Sequence, residues 1–175
     1  MPYAMTLRLD EADRAPFDTL MHALAAHAGA DEAAELRHTP RIILAAYPDD
    51  ADAKALATTA AALSAQWKRL PVRFASLGIF PGDPASLWLA PITNSALLVR
   101  HAHLLARHAA TGPWASGVWI PHLMLCAALP GAAALAAATA AANGAFTPFT
   151  ATLSDVELIR TAPQELVFSA PLAPN

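Results

Sequence analysis

Two short segments, PRIILAA at residues 40–46 and PHLMLCA at 121–127, share one plan: a proline opens an apolar run, another proline follows it, and a helical pattern comes next. No other feature constrains the fold as much, because a duplicated strand–helix unit points to two related halves. Proline is tolerated where a strand begins, and the branched and large aliphatic residues after it favour extended backbone. Alternate side chains of a strand share a face, so Arg41 and Ile43 point one way while Ile42 and Leu44 point the other. In the second copy His122 and Met124 form the matching pair. A lone histidine in an apolar run is ordinarily a core residue with a satisfied hydrogen bond. Here its counterpart is an arginine, which gives both positions a second possible use.

The rest of the pattern sets the fold class. YAMTLRL at 3–9 alternates as a strand, and Asp10 opens a helical pattern carrying Phe17, Leu20, Met21 and Leu24 on one face. RIILAAY at 41–47 is a strand, and the PDDAD cap leads into a helix from about Asp52 to Lys68 with Leu56, Thr59, Ala60 and Leu63 together. VRFASLGIF and ASLWLAP form a hairpin around PGDP, a turn expected to use the fixed φ of proline and a positive φ at glycine. Residues 94–108 predict a helix capped by Asn94 or Ser95 and ended by Gly112 and Pro113, and WIPHLMLC at 119–126 predicts a strand. An alanine-rich helix stopping at Gly144 and three β segments, FTPFTATL, SDVELIRT and ELVFSA, complete the chain. The hairpin and terminal strands have connections too short for parallel crossovers, so the class is α+β. Residues 1–175 are expected to form one bilobal domain, with two pseudo-symmetric lobes, each an antiparallel sheet flanked by helices, facing a central cleft.

Composition excludes several functions. The net charge is −3 and the eleven lysines and arginines are scattered, so the basic stripe of a duplex-binding protein is missing. Cys126 is the single cysteine, which rules out an intramolecular disulfide and a cysteine-cluster metal site. Hydrophobic residues make up 55% of the chain, but many are alanine, and no stretch approaches the ~20 strongly apolar residues of a membrane span. The opening MPYAMTLRLDEADR lacks the basic and apolar regions of a signal peptide, so a cytoplasmic location is expected. His101, His103 and His108 do not share a metal-binding face and are expected to be solvated, and no metal is assigned. Trp67, Trp88 and Trp114 are expected to pack in the core or hairpin, whereas Trp119, next to the second motif, is placed at a cleft mouth.

The duplicated strands, the opening TLRLD, the hairpin GIFPGDPASLWLAP and the strand WIPHLML together resemble the 2H phosphoesterases. That family includes the bacterial 2',5' RNA ligase-like proteins and the cyclic nucleotide phosphodiesterases. Its members carry two strands of the type Pro-His-hydrophobic-Thr/Ser-Leu. The resemblance implies a shared cleft in which two imidazoles serve as general base and general acid, two hydroxyls orient a phosphate, and no cofactor is needed. This chain departs from the pattern in three of four places: Arg41 stands for the first histidine, Ile43 for the first hydroxyl and Met124 for the second, and only His122 remains. Arginine binds phosphate with two parallel bonds but exchanges no proton near neutral pH.

The expected catalytic residue is therefore His122. The expected ligand-binding set is Arg41, His122, Ile43, Met124, His38 in the preceding loop, Arg73 on the hairpin and Trp119. The resemblance implies a small phosphorylated ligand, a nucleotide or an RNA end as partner, with lost or weakened catalysis. An active phosphodiesterase using a substitute such as His38, and a structural or interaction protein with a filled cleft, are the alternatives. Oligomeric state and pathway stay open.

Overall fold

The computed structural model describes residues 3–27, 39–93 and 95–174. In chain order the elements are β1 (Tyr3–Leu9), α1 (Ala15–Leu24), β2 (Arg41–Tyr47), α2 (Ala53–Gln66), β3 (Leu70–Phe80), β4 (Ala85–Pro91), α3 (Ser95–Leu105), β5 (Leu123–Leu129), α4 (Gly131–Ala145), β6 (Phe149–Thr161) and β7 (Gln164–Pro171). The strands form one seven-stranded sheet in the order β1-β2-β5-β4-β3-β6-β7, and all pairings between these strands are antiparallel. The fold is α+β. Because β6 also pairs with β1, the hydrogen-bonded path returns to its start. β1, β2, β6 and β7 pair among themselves, as do β3, β4 and β5. The two groups are joined by β3 against β6 and by a single residue pair between β2 and β5.

Local chemistry accounts for most elements. Phe17, Leu20, Met21 and Leu24 are all buried, as the helical spacing requires. Asp10 first caps a 3₁₀ turn at Glu11–Asp13, its side chain accepting from the Ala12 amide, so the α-helix begins only at Ala15. Asp52 caps α2 by accepting from the Ala55 amide at 3.0 Å, and Leu56, Ala60 and Leu63 face the core. Each motif strand is followed by a helix, β2 by α2 and β5 by α4. Among the described residues no helix is long and apolar enough to cross a membrane.

Several expectations change. The PGDP turn uses a cis Asp83–Pro84 bond, and positive φ occurs at Gly112, Gly117 and Gly131 instead of Gly82. The strand expected from Trp119 begins only at Leu123, which leaves His122 at its entrance. The α3 helix ends at Leu105, and Gly112 and Pro113 instead start a short 3₁₀ turn; Asn94 lies outside the described residues. Gly144 lies inside α4, which runs one residue past it. The FTATL part of FTPFTATL and all of SDVELIRT form one strand, β6. Ser154 and Asp155 resemble a turn in sequence, yet the Ser154 hydroxyl donates to the Asp155 carboxylate and Arg8 pairs with it, so the strand continues through them.

Candidate functional site

The two motif strands meet where Ile42 on β2 pairs with Leu123 on β5. Arg41 and Ile43 flank Ile42 on one strand, and His122 and Met124 flank Leu123 on the other. Ile42 and Leu123 are buried in the core, while Arg41, Ile43, His122 and Met124 are half-buried on the opposite face. These four line a cleft of about 300 Å³, to which Thr39, Pro40, Ile159 and Gln164 also contribute. The two-residue alternation read from the sequence is thus the alternation between core and cleft.

Arg41 meets a carboxylate of the protein. Its Nε lies 3.5 Å from Oε2 of Glu157 on β6, and Glu157 is 4% exposed. Arg8 on the intervening β1 contacts Glu157 at 3.3 Å and Asp155 at 2.9 Å. Register explains the cluster: Arg8 is the cross-strand partner of both Arg41 and Asp155, and Thr6 of both Ile43 and Glu157. Two cations and two carboxylates balance on one sheet face. They are charge contacts more than aligned hydrogen bonds, since Nε of Arg8, Nε of Arg41 and Oε2 of Glu157 lack a well-directed partner. Burial pushes the Glu157 carboxyl above its usual range against the pull of Arg41 and Arg8. Burial also lowers the Arg41 pKa, which Glu157 opposes and Arg8 reinforces.

His122 is oriented from both ends. Its Nδ1 lies 2.8 Å from the Ile120 carbonyl, which can only accept, so Nδ1 carries the proton and Nε2 offers a lone pair. Burial lowers its pKa, opposed by that hydrogen bond, and the ring is neutral at pH 7. Phe80 and Trp88 meet it edge-on at 4.9 and 5.7 Å and stack on each other at 4.9 Å. Gly78, the cross-strand partner of Trp88, makes this box possible, because a Cβ there would fall inside the Trp88 indole. Gly78→Ala is therefore expected to displace Trp88 and cost about 1–3 kcal/mol. The check is urea unfolding together with the NMR shift of the His122 ring; an unmoved ring and unchanged stability would show that Trp88 does not hold it.

The other expected residues divide. Arg73 does not line the cleft: it alternates with buried Val72 and Phe74 on β3 and points to solvent. His38 lies outside the described residues. Trp119 lines a neighbouring cavity instead of the mouth of this cleft, with its indole N–H donating to the Ile43 carbonyl at 3.0 Å. His101, expected on a solvated face, is 6% exposed; it stacks on Trp119 at 4.2 Å and donates to the Trp114 carbonyl at 2.9 Å. His108 is half-buried and meets Thr59 at 2.7 Å, whereas His103 is exposed. Arg8, Asp155, Glu157 and Gln164 were not singled out from the sequence. The first three carried a signal: charged residues alternating with apolar ones in TLRL and SDVELIRT, on strands that a closed sheet buries.

Among the described residues no group of histidine, cysteine or acidic side chains is arranged to hold a metal ion. Chemically, the cleft offers one imidazole, one guanidinium held by a carboxylate, the Thr39 hydroxyl and the Gln164 amide.

Comparison with solved structures shows the same fold. Over 98% of this chain and 97% of the other, the structure matches E. coli LigT complexed with 3'-AMP, with a TM-score of 0.57 and 14% identity. A Thermus thermophilus protein matches over 100% of both chains at 0.58 and 15%. Kluyveromyces marxianus Usb1 matches over 97% of both at 0.54 and 12%. No curated protein matches by sequence. The family model of the 2'-5' RNA ligase superfamily matches residues 14–165, which include both motif strands, and the chain belongs to that superfamily.

Proposed function

We propose that this protein binds a small phosphorylated ligand between Arg41 and His122 and has lost most or all phosphodiesterase catalysis. The observation that carries this reading is the state of Arg41, which occupies the place of a first imidazole and is tied to Glu157 in a half-buried ion pair. A guanidinium so held can bind an anion but cannot trade protons near neutral pH. His122 is the one histidine lining the cleft among the described residues, so a matched acid and base are missing there. Ile43 and Met124 supply no hydroxyl to orient a phosphate. The 3'-AMP bound to E. coli LigT supports the ligand class.

The test pairs a turnover assay on 2',3'-cyclic AMP with calorimetric titration of 3'-AMP and inorganic phosphate. Binding of either phosphate probe without turnover is the expected result. Turnover at ~1 s⁻¹ or faster, lost in His122→Ala, would replace this reading with an active enzyme. Neither binding nor turnover would leave a structural role.

A further inference from the structure

A second cavity of about 280 Å³ lies beside the cleft, with His122 in the wall of both. Its other walls are Phe80, Pro113, Trp114, Val118, Trp119 and Ile120. Val118 and Ile120 are 59% and 50% exposed, so the rim presents branched apolar side chains to water. The aromatic wall is fixed in place: Trp119 is 9% exposed, stacked on His101 at 4.2 Å and bonded through its indole N–H to Ile43.

Much of the polar chemistry in these walls is already engaged. The Trp114 carbonyl accepts from His101, the Ile120 carbonyl accepts from His122, and the Trp119 indole donates to Ile43. The side chains left to meet a ligand are ring faces and aliphatic branches. Their remaining hydrogen-bonding atoms are at most the Trp114 indole N–H and His122 Nε2. A nucleobase carries several donors and acceptors on its edge, and those that lost water here would find at most these two side-chain partners. An apolar ring loses nothing of the kind and gains contact with the rings. The volume lies near the lower end of the ~300–1,000 Å³ range of small-ligand pockets, room for one ring system.

We infer that this second cavity is a subsite for an apolar or aryl group of the ligand and discriminates against a nucleobase. The inference rests on the phosphate reading of the adjoining cleft and names what the phosphate is attached to: the phosphate ester of an aryl or apolar alcohol, its anionic end beside Arg41 and His122.

The experiment titrates the full chain with 1-naphthyl phosphate, 3'-AMP, inorganic phosphate and 1-naphthol, read by calorimetry and by tryptophan emission. The naphthyl ester is expected to bind roughly tenfold or more tighter than 3'-AMP or inorganic phosphate, because each buried, unsatisfied polar group costs about that factor. Val118→Ser, a neutral change at an exposed rim position, should reduce that advantage severalfold or more. Binding of 3'-AMP as tight as that of the naphthyl ester would overturn the inference while keeping the phosphate reading. Equal binding of naphthol and its phosphate ester, with inorganic phosphate silent, would support the apolar subsite and overturn the phosphate reading. No response to either naphthyl probe would overturn the subsite.

Discussion

Arg41→His combined with Ile43→Thr and Met124→Thr is expected to raise hydrolysis of 2',3'-cyclic AMP over the unmodified chain by on the order of 10²-fold or more. All three positions share the cleft with His122, so the substitutions would bring a second imidazole and two hydroxyls to the same walls. The electrostatics also assign the roles. His122 is desolvated and donates from Nδ1 to Ile120, so its neutral Nε2 suits it to act as base. An imidazole at position 41 would sit beside the Glu157 carboxylate, which favours its protonated form and suits it to act as acid. Arg41→His alone should do less, because a proton donor without an oriented phosphate loses much of the benefit of proximity. The measurement is initial-rate hydrolysis with and without His122→Ala. A triple variant that folds, binds phosphate and remains as slow as the starting chain would show that the motif positions do not govern catalysis here.

Arg8→Met is expected to lower the free energy of unfolding by about 2–4 kcal/mol at pH 7. Arg8 faces both Asp155 and Glu157, and without it Glu157 keeps Arg41 while Asp155 keeps the Ser154 hydroxyl. The loss stays moderate because Arg41 remains and because the Arg8 side chain is partly solvated, 32% exposed. The pH dependence has a definite sign. Burial already raises the Glu157 pKa, and removing Arg8 removes one of the influences holding it down. A carboxyl with a raised folded-state pKa binds more protons folded than unfolded. Its stabilising contribution is complete below the unfolded value of ~4.3 and is lost as pH rises through the folded value. The variant should therefore show its largest deficit near neutrality and a smaller one toward pH 4.5, measured by urea unfolding at both. Adding Glu157→Gln should recover part of the loss at pH 7 by removing the orphaned charge. A deficit that is the same at both pH values would assign the effect to lost packing of the arginine stem.

Much of this architecture was legible in the sequence because it depends on local periodicity. The spacing of Phe17, Leu20, Met21 and Leu24 made a buried helix face, and alternation in PRIILAA and PHLMLCA separated Ile42 and Leu123 from Arg41, Ile43, His122 and Met124. A two-residue period is a property of extended backbone, so it survives any arrangement of the strands around it. Electrostatic partnerships carry no such period. Nothing in PRIILAA names the partner of Arg41; that it is Glu157 follows from β1 pairing with β2 on one edge and β6 on the other. Ser154 and Asp155 had the composition of a turn, and only the arrival of Arg8 made a continuous strand the better place for them. The histidines of α3 likewise separated only on packing: His101 is buried because Trp119 lies over it, while His103 points to water. By itself, then, the sequence determined the extended character of the two motif segments, the buried face of α1 and which four side chains share a surface, since these follow from backbone geometry within a few residues. Tertiary structure alone decided that Arg41 is paired with Glu157, that His122 presents Nε2 and that an aromatic cavity adjoins it, because each depends on groups brought together from distant parts of the chain.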